Sequence, residues 1–118
     1  NILFAGPDHL KICDLGIATN VVIVEGTEVT AGTRTDVSTP LYAAPEQTQW
    51  IHYTSKVDVF ALGLIFAEMC EIMDVFQRSK IFKNYRDGKV NNILSDEPLA
   101  LRLINYLTIA DHNIRPTC

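Results

Sequence analysis

Ser55-Lys56-Val57-Asp58-Val59-Phe60-Ala61-Leu62-Gly63-Leu64-Ile65-Phe66-Ala67-Glu68-Met69-Cys70 is the stretch on which the fold turns. From Ser55 to about Met73 the pattern is helical, with Ser55 as N-cap and Asp58 as the acid three positions on, a capping box in its aspartate form. Val57, Val59, Phe60, Leu62, Leu64, Ile65, Phe66 and Met69 lie around nearly the whole circumference of such a helix, which predicts a buried element. Burying those side chains would supply on the order of 12–24 kcal/mol of gross transfer energy, more than any other segment offers. Gly63 in the middle costs about 1 kcal/mol in helix propensity, so a neighbouring element is expected to pack closely there.

Downstream, a helix is predicted from Phe76 to about Tyr85, closed by Arg86-Asp87-Gly88, and another from Pro98 to about Thr108, where Leu99, Leu103 and Leu107 recur every fourth residue. Upstream, Pro45 suits the first turn of a short helix ending near Trp50, with Glu46 and Gln47 at its positive end. The residues from Gly16 to Pro40 are rich in Thr, Gly and Val without a helical period, and predict a long segment with at most one short strand, at Val21-Val22-Ile23-Val24. At the start, Ile2-Leu3-Phe4 and Leu10-Lys11-Ile12-Cys13 flank Ala5-Gly6-Pro7-Asp8-His9, the composition of a small hairpin. By layer logic the fold class is mainly α with a small β-hairpin at one end.

The chain has 118 residues, of which 47% are hydrophobic, with 14 acidic against 10 basic side chains and a net charge of -4. That is one domain or part of one, too apolar for intrinsic disorder. No run of Lys or Arg supplies an electrostatic footprint for phosphate backbones, so direct nucleic-acid binding is not expected. The longest apolar stretch, Val59 to Ala67, is about half the length of a bilayer-spanning helix. The expectation is a soluble protein of the cytoplasm or nucleus with no membrane contact, the cytoplasm being the compartment chosen. Cys13, Cys70 and Cys118 are spaced by 57 and 48 residues, which fits neither a disulfide framework nor a zinc site. They read as free thiols. The first residue is Asn1 and an apolar segment follows at once, so the chain is expected to be a piece of a longer protein.

Asp14-Leu15-Gly16 follows the second apolar segment of the hairpin, where an acid before a permissive glycine can project a carboxylate toward a metal. Alone it is more often an ordinary strand-ending turn. It is followed in order by Thr39-Pro40-Leu41-Tyr42, Ala44-Pro45-Glu46 and Asp58-Val59-Phe60-Ala61-Leu62-Gly63. This ordered set resembles the C-terminal lobe of a eukaryotic protein kinase, an α+β parent fold, entered at the last residue of the catalytic loop. Asn1-Ile2-Leu3-Phe4 is similar to the end of the His-Arg-Asp loop, Asp14-Leu15-Gly16 to the magnesium-binding Asp-Phe-Gly, and Ala44-Pro45-Glu46 to the end of the activation segment. The resemblance covers residues 1–118 as one partial kinase domain without its N-terminal lobe. Thr39 to Gln47, Lys56 to Ile65, Ser79-Lys80-Ile81-Phe82 and Tyr85-Arg86-Asp87-Gly88 look most like the kinases of the α subunit of translation initiation factor two, of the double-stranded-RNA-activated type.

The resemblance implies roles residue by residue. Asn1 and Asp14 would hold magnesium beside the phosphates of ATP, both being oxygen donors suited to a hard cation. Cys13 would face the ATP pocket, although a buried inert thiol is its commoner meaning. Thr33 and Thr35 stand where activating phosphorylation occurs, and Thr39 where a threonine lines the substrate site of serine/threonine kinases. Each is also an ordinary loop hydroxyl. Glu46 and Arg115 would form a buried ion pair, and Asp58 would accept hydrogen bonds from catalytic-loop amides or cap its own helix. These three are structural. The catalytic aspartate would lie upstream of Asn1, so no catalytic residue is expected within this chain, which alone would be inactive and would leave apolar surface exposed.

The implied function is phosphate transfer to a protein, the α subunit of translation initiation factor two, in a stress or antiviral response, with dimerisation through the absent N-terminal lobe. The alternative is a pseudokinase or truncated lobe that binds proteins without catalysis. The helix from Phe76 resembles the one that docks the substrate, with Asp74, Gln77 and Arg78 standing where other polar residues are expected.

Overall fold

The computed structural model describes residues 1–16, 18, 20–24, 27–31, 40–48, 53–89 and 97–117. Strand β1 spans Ile2–Gly6 and β2 spans His9–Ile12, paired antiparallel with Ile2 opposite Ile12 and Phe4 opposite Leu10. Only Pro7 and Asp8 lie between the strands, a tighter reversal than the five residues expected, and the register slips between Phe4 and Gly6. Opposed residues of an antiparallel pair share a face, so Ile2, Phe4, Leu10 and Ile12 form one apolar surface. All four are exposed, Phe4 by 83%.

A second hairpin follows, β3 over Asn20–Val24 and β4 over Thr27–Ala31, with Val22 opposite Val29. This corrects the expectation of at most one short strand. Thr27-Glu28-Val29-Thr30-Ala31 carries only one large apolar residue, so the alternation that marks a half-buried strand is weak there.

The helices are α1 at Pro45–Thr48, α2 at Lys56–Cys70, α3 at Val75–Arg86 and α4 at Pro98–Leu107. Among the described residues no helix is long and apolar enough to cross a membrane. The core is built by Ala44, by Val57, Phe60, Leu64 and Ala67 of α2, by Phe82 and Tyr85 of α3, and by Ile104 of α4. Leu41 and Tyr42 pack against it, and the Tyr42 and Phe82 rings meet at 5.5 Å between centroids in a tilted pair.

Two expectations for α2 are corrected. Its apolar residues are not buried all round: Leu62 is 50% and Met69 75% exposed, so one strip of the helix faces outward. Fully buried are Val57, Val59, Phe60 and Leu64, which lowers the gross burial term to about 6–12 kcal/mol. The Ser55 capping box also does not form. Ser55 has helical backbone angles and makes no side-chain cap bond, and the chain enters α2 through a turn in which Thr54 and Ser55 carbonyls accept from Val57 and Asp58 amides. The capping box sits on α3 instead. Asp74 Oδ1 accepts from the Phe76 and Gln77 amides at 2.8 Å each, and Gln77 Oε1 accepts from the Asp74 amide at 3.1 Å. On α4, Ile104 is the buried residue, whereas Leu99 and Leu103 of the four-residue repeat are exposed.

Gly63 does mark a close approach. A Cβ added there would lie 2.7 Å from Thr108 Cγ2 and 2.8 Å from Leu107 Cβ, at the end of α4. Gly63→Ala is therefore expected to destabilise the chain. Overpacking costs about 1–3 kcal/mol and outweighs the roughly 1 kcal/mol that alanine gains in helix propensity. Urea unfolding reads the sign directly; a midpoint equal to or above wild type would contradict the close packing of α2 on α4.

Candidate functional site

The first hairpin positions the two expected oxygen donors. The Cys13 amide donates to the Asn1 carbonyl at 2.9 Å, extending the β1–β2 ladder by one rung and bringing both chain ends of the hairpin together. Asp14, next along, has φ 61°, the left-handed region that a non-glycine residue adopts only when its surroundings hold it there. Its carboxylate folds back over the turn, since a Cβ on Gly16 would come within 3.3 Å of Asp14 Oδ1. Asn1 and Asp14 are both exposed at this open end, and Cys13 between them is half-buried with a free thiol. No group of three or more His, Cys, Asp or Glu side chains that could hold a metal exists among the described residues. Asn1, opposite Cys13, and Asp14, the residue after Cys13, are both exposed, and their oxygen donors are of the kind magnesium takes, an ion typically held by one or two protein ligands and completed by phosphate oxygens and water.

Glu46 and Arg115 meet as expected. Arg115 Nη1 donates to Glu46 Oε1 at 2.6 Å and Nη2 to Oε2 at 3.0 Å, a two-pronged pair with both side chains out of water. The other donors are also used: Nε on the Ile109 carbonyl at 2.8 Å, Nη1 on Lys56 at 3.0 Å and Nη2 on Ala110 at 3.2 Å. All five N–H groups of the guanidinium are thereby satisfied. The Phe60 ring lies 4.8 Å from its central carbon. Lys56 reinforces the same corner, its ammonium donating to the His112 and Asn113 carbonyls at 2.9 and 3.0 Å. Asp111 orders that loop by accepting from the Asn113 amide and side chain, bonds that pull its carboxyl below the usual range.

Asp58 is not brought to a partner. It is exposed at the molecular surface on the first turn of α2, and its carboxylate accepts no hydrogen bond from the described residues. The protein atoms around it withdraw enough water to push its carboxyl above the ordinary value. Thr33, Thr35 and Thr39 lie outside the described residues.

The fold also brings together four polar residues to which the sequence assigns no bond. The Tyr42 hydroxyl donates to Glu68 Oε2 at 2.6 Å, and Arg78 Nη1 donates to Glu68 Oε1 at 2.8 Å. Arg86 Nη1 donates to the Leu41 carbonyl at 2.8 Å. These bonds tie the residues before α1 to α2 and α3. Glu68 and Arg78 are ten apart across a helix-to-helix corner whose angle no local pattern encodes, whereas the Asp74-x-x-Gln77 cap was readable as a capping signature.

The protein kinase domain model matches residues 1–118, the whole of the chain. The chain belongs to the protein kinase domain family. Among its relatives, the Caenorhabditis elegans eukaryotic translation initiation factor 2-alpha kinase pek-1 is 32% identical over 119 residues, covering 95% of this chain and 11% of the relative. The mouse eukaryotic translation initiation factor 2-alpha kinase 1 is 33% identical over 127 residues, 99% of this chain and 20% of the relative. The mouse interferon-induced, double-stranded RNA-activated protein kinase is 36% identical over 97 residues, 81% of this chain and 18% of the relative. The kinase-domain chain thus spans between 11% and 20% of the length of these relatives.

The carboxyl of Asp58 supplies a test of the geometry. Its folded-state value is raised above the ordinary 3.8, so the folded chain binds the proton more tightly than the unfolded one. Stability contributed by this group is therefore present below that value and is lost as pH rises through the folded-state one. Asp58→Asn is expected to remove this loss and to be the more stable relative to wild type at pH 7 than at pH 3 in urea titrations. A difference independent of pH would show that the carboxylate is fully solvated.

Proposed function

We propose that this chain is the part of a serine/threonine kinase that runs from the end of the catalytic loop, through the activation segment, into the helices of the C-terminal lobe. The protein that carries it transfers the γ-phosphate of ATP to a hydroxyl of a protein substrate, the α subunit of translation initiation factor two, in the cytoplasm. The observation that carries this reading is the match of the protein kinase domain model to residues 1–118, and the backbone bond that sets Asn1 opposite Cys13, one residue before Asp14, agrees with it. When bound, magnesium on these donors neutralises the charge that develops on the transferred phosphoryl group.

The residues of this chain divide the remaining work. Asp14 and Asn1 would hold the cation, and Cys13 would lie beside the nucleotide. Thr39 matches the family's threonine of the acceptor side, which suits a serine or threonine substrate, and Thr33 and Thr35 are the sites whose phosphorylation would add about -1.5 to -2 charge each to the activation segment. Glu46, locked by Arg115, fixes the far end of that segment against the helices. The choice of substrate is supported by the names of the relatives, which act on translation initiation factor 2-alpha. A hollow of about 380 Å³ lined by Pro45, Thr48, Ser79, Lys83, Arg86 and Asp87 lies between α1 and α3.

The test is magnesium-dependent phosphate transfer to the initiation-factor α subunit by the full-length protein. Asp14→Ala is expected to lower the rate at least about a hundredfold, since metal stabilisation is worth several kcal/mol and each 1.36 kcal/mol is tenfold. Equal transfer by wild type and Asp14→Ala would contradict the metal role. A folded wild type without transfer would leave the protein-binding reading in its place.

A further inference from the structure

We infer that Arg78 and Arg86, the two arginines of α3, are positioning residues for the protein-substrate face, holding the Leu41–Tyr42 segment in place from two directions. This rests on the reading that residues 39–46 carry the acceptor side of the site. Arg86 acts on the backbone: its guanidinium donates to the Leu41 carbonyl at 2.8 Å across a separation of 45 residues. Arg78 acts through a relay, since its 2.8 Å bond holds one oxygen of Glu68 while the other accepts from the Tyr42 hydroxyl at 2.6 Å.

The segment needs such a hold at this point. Its far end is pinned by Glu46 and by the Ala44 amide, which donates to Gln47 Oε1 at 2.9 Å. Pro40, where the described part of the segment begins, is exposed, so among the described residues the polar anchors nearest the acceptor side are the Leu41 carbonyl and the Tyr42 hydroxyl. Both bonds are partly sheltered from water, where a hydrogen bond is stronger and its loss dearer. Burial, followed by the bond to Glu68, pushes the Tyr42 phenol above its ordinary value, so it remains a donor throughout the neutral range. Burial also pulls the Arg86 guanidinium down while nearby Asp87 pushes it up, in keeping with its part-buried bond to the Leu41 carbonyl. The Arg78 bond to Glu68 is single-pronged, with its buried Nε making no bond, so a lysine can replace its charge and most of its function.

The experiment uses the full-length protein with Arg86→Gln and Arg78→Gln, each paired with its lysine variant. Initial rates are measured on the initiation-factor α subunit, and amide hydrogen exchange at residues 41–44 without substrate. The expected result is a KM for the protein substrate raised about fivefold, the factor one hydrogen bond of ordinary net strength supplies. The kcat stays within about twofold, exchange at residues 41–44 rises by a similar factor, and the lysine variants recover most of both. An unchanged KM or unchanged exchange in variants that stay folded overturns the inference, as does a lowered melting temperature with KM intact. If a glutamine variant fails to fold, the lysine variants decide by the same two readouts. If the wild type transfers no phosphate, the kinase reading fails separately. Faster exchange in Arg86→Gln then still supports the clamp and unchanged exchange overturns it.

Discussion

A buried arginine with all five donors satisfied is the constraint on which the helical part of this chain depends. Arg115 reaches 69 residues back to Glu46, and on the way its guanidinium collects the carbonyls of Lys56, Ile109 and Ala110. One side chain therefore joins α1, the start of α2 and the loop after α4. Taking both charges out of water is costly, and the pair is tolerable only because the fork geometry matches the carboxylate and no donor is left idle. Hydrophobic residues of similar volume could fill the same space. They would not fix the direction of three backbone carbonyls and a carboxylate at once.

The division of the molecule follows from where apolar surface is spent. The core is drawn from residues 41–44 and from α2, α3 and α4, whereas the first hairpin leaves Ile2, Phe4, Leu10 and Ile12 on an exposed face. The two oxygen donors of the candidate metal site ride on this hairpin, away from the core. In the proposed reading the hairpin is completed by other parts of the kinase, and its exposed apolar face is the surface they cover. The outward strip of α2 at Leu62 and Met69 has the same character.

Much of this was legible in the sequence, for reasons that differ by element. The first hairpin, α1, α2 and α4 were readable because apolar period, proline placement and turn residues agreed, although α2 ends at Cys70 and not near Met73. The start and end of α3 were off by one residue each. The Glu46–Arg115 pair and the assignment of Asn1 and Asp14 as donors came from family resemblance, since nothing local joins residues so far apart. What failed was the second hairpin, whose β4 lacks an apolar alternation, and several finer points. The Ser55-x-x-Asp58 pattern looks like a cap, but the chain enters α2 already in helical geometry, so the hydroxyl is not at the position where it could accept from the first amides. The leucines at 99, 103 and 107 keep helical spacing without naming the buried face, which Ile104 occupies because α2 lies on that side. The bonds from Tyr42, Glu68, Arg78 and Arg86 depend on the angle between α2 and α3, a tertiary quantity.

The most direct measurement is a double-mutant cycle on the pair itself, with Glu46→Gln, Arg115→Met and the double variant unfolded in urea. Each single change is expected to cost about 3–5 kcal/mol, because a buried charge is left without its partner. The double variant should cost less than the sum of the two by about 2–3 kcal/mol, the upper part of the range for residues in direct contact. Two single losses near 1 kcal/mol that simply add would contradict the account and place the organising constraint elsewhere in the core.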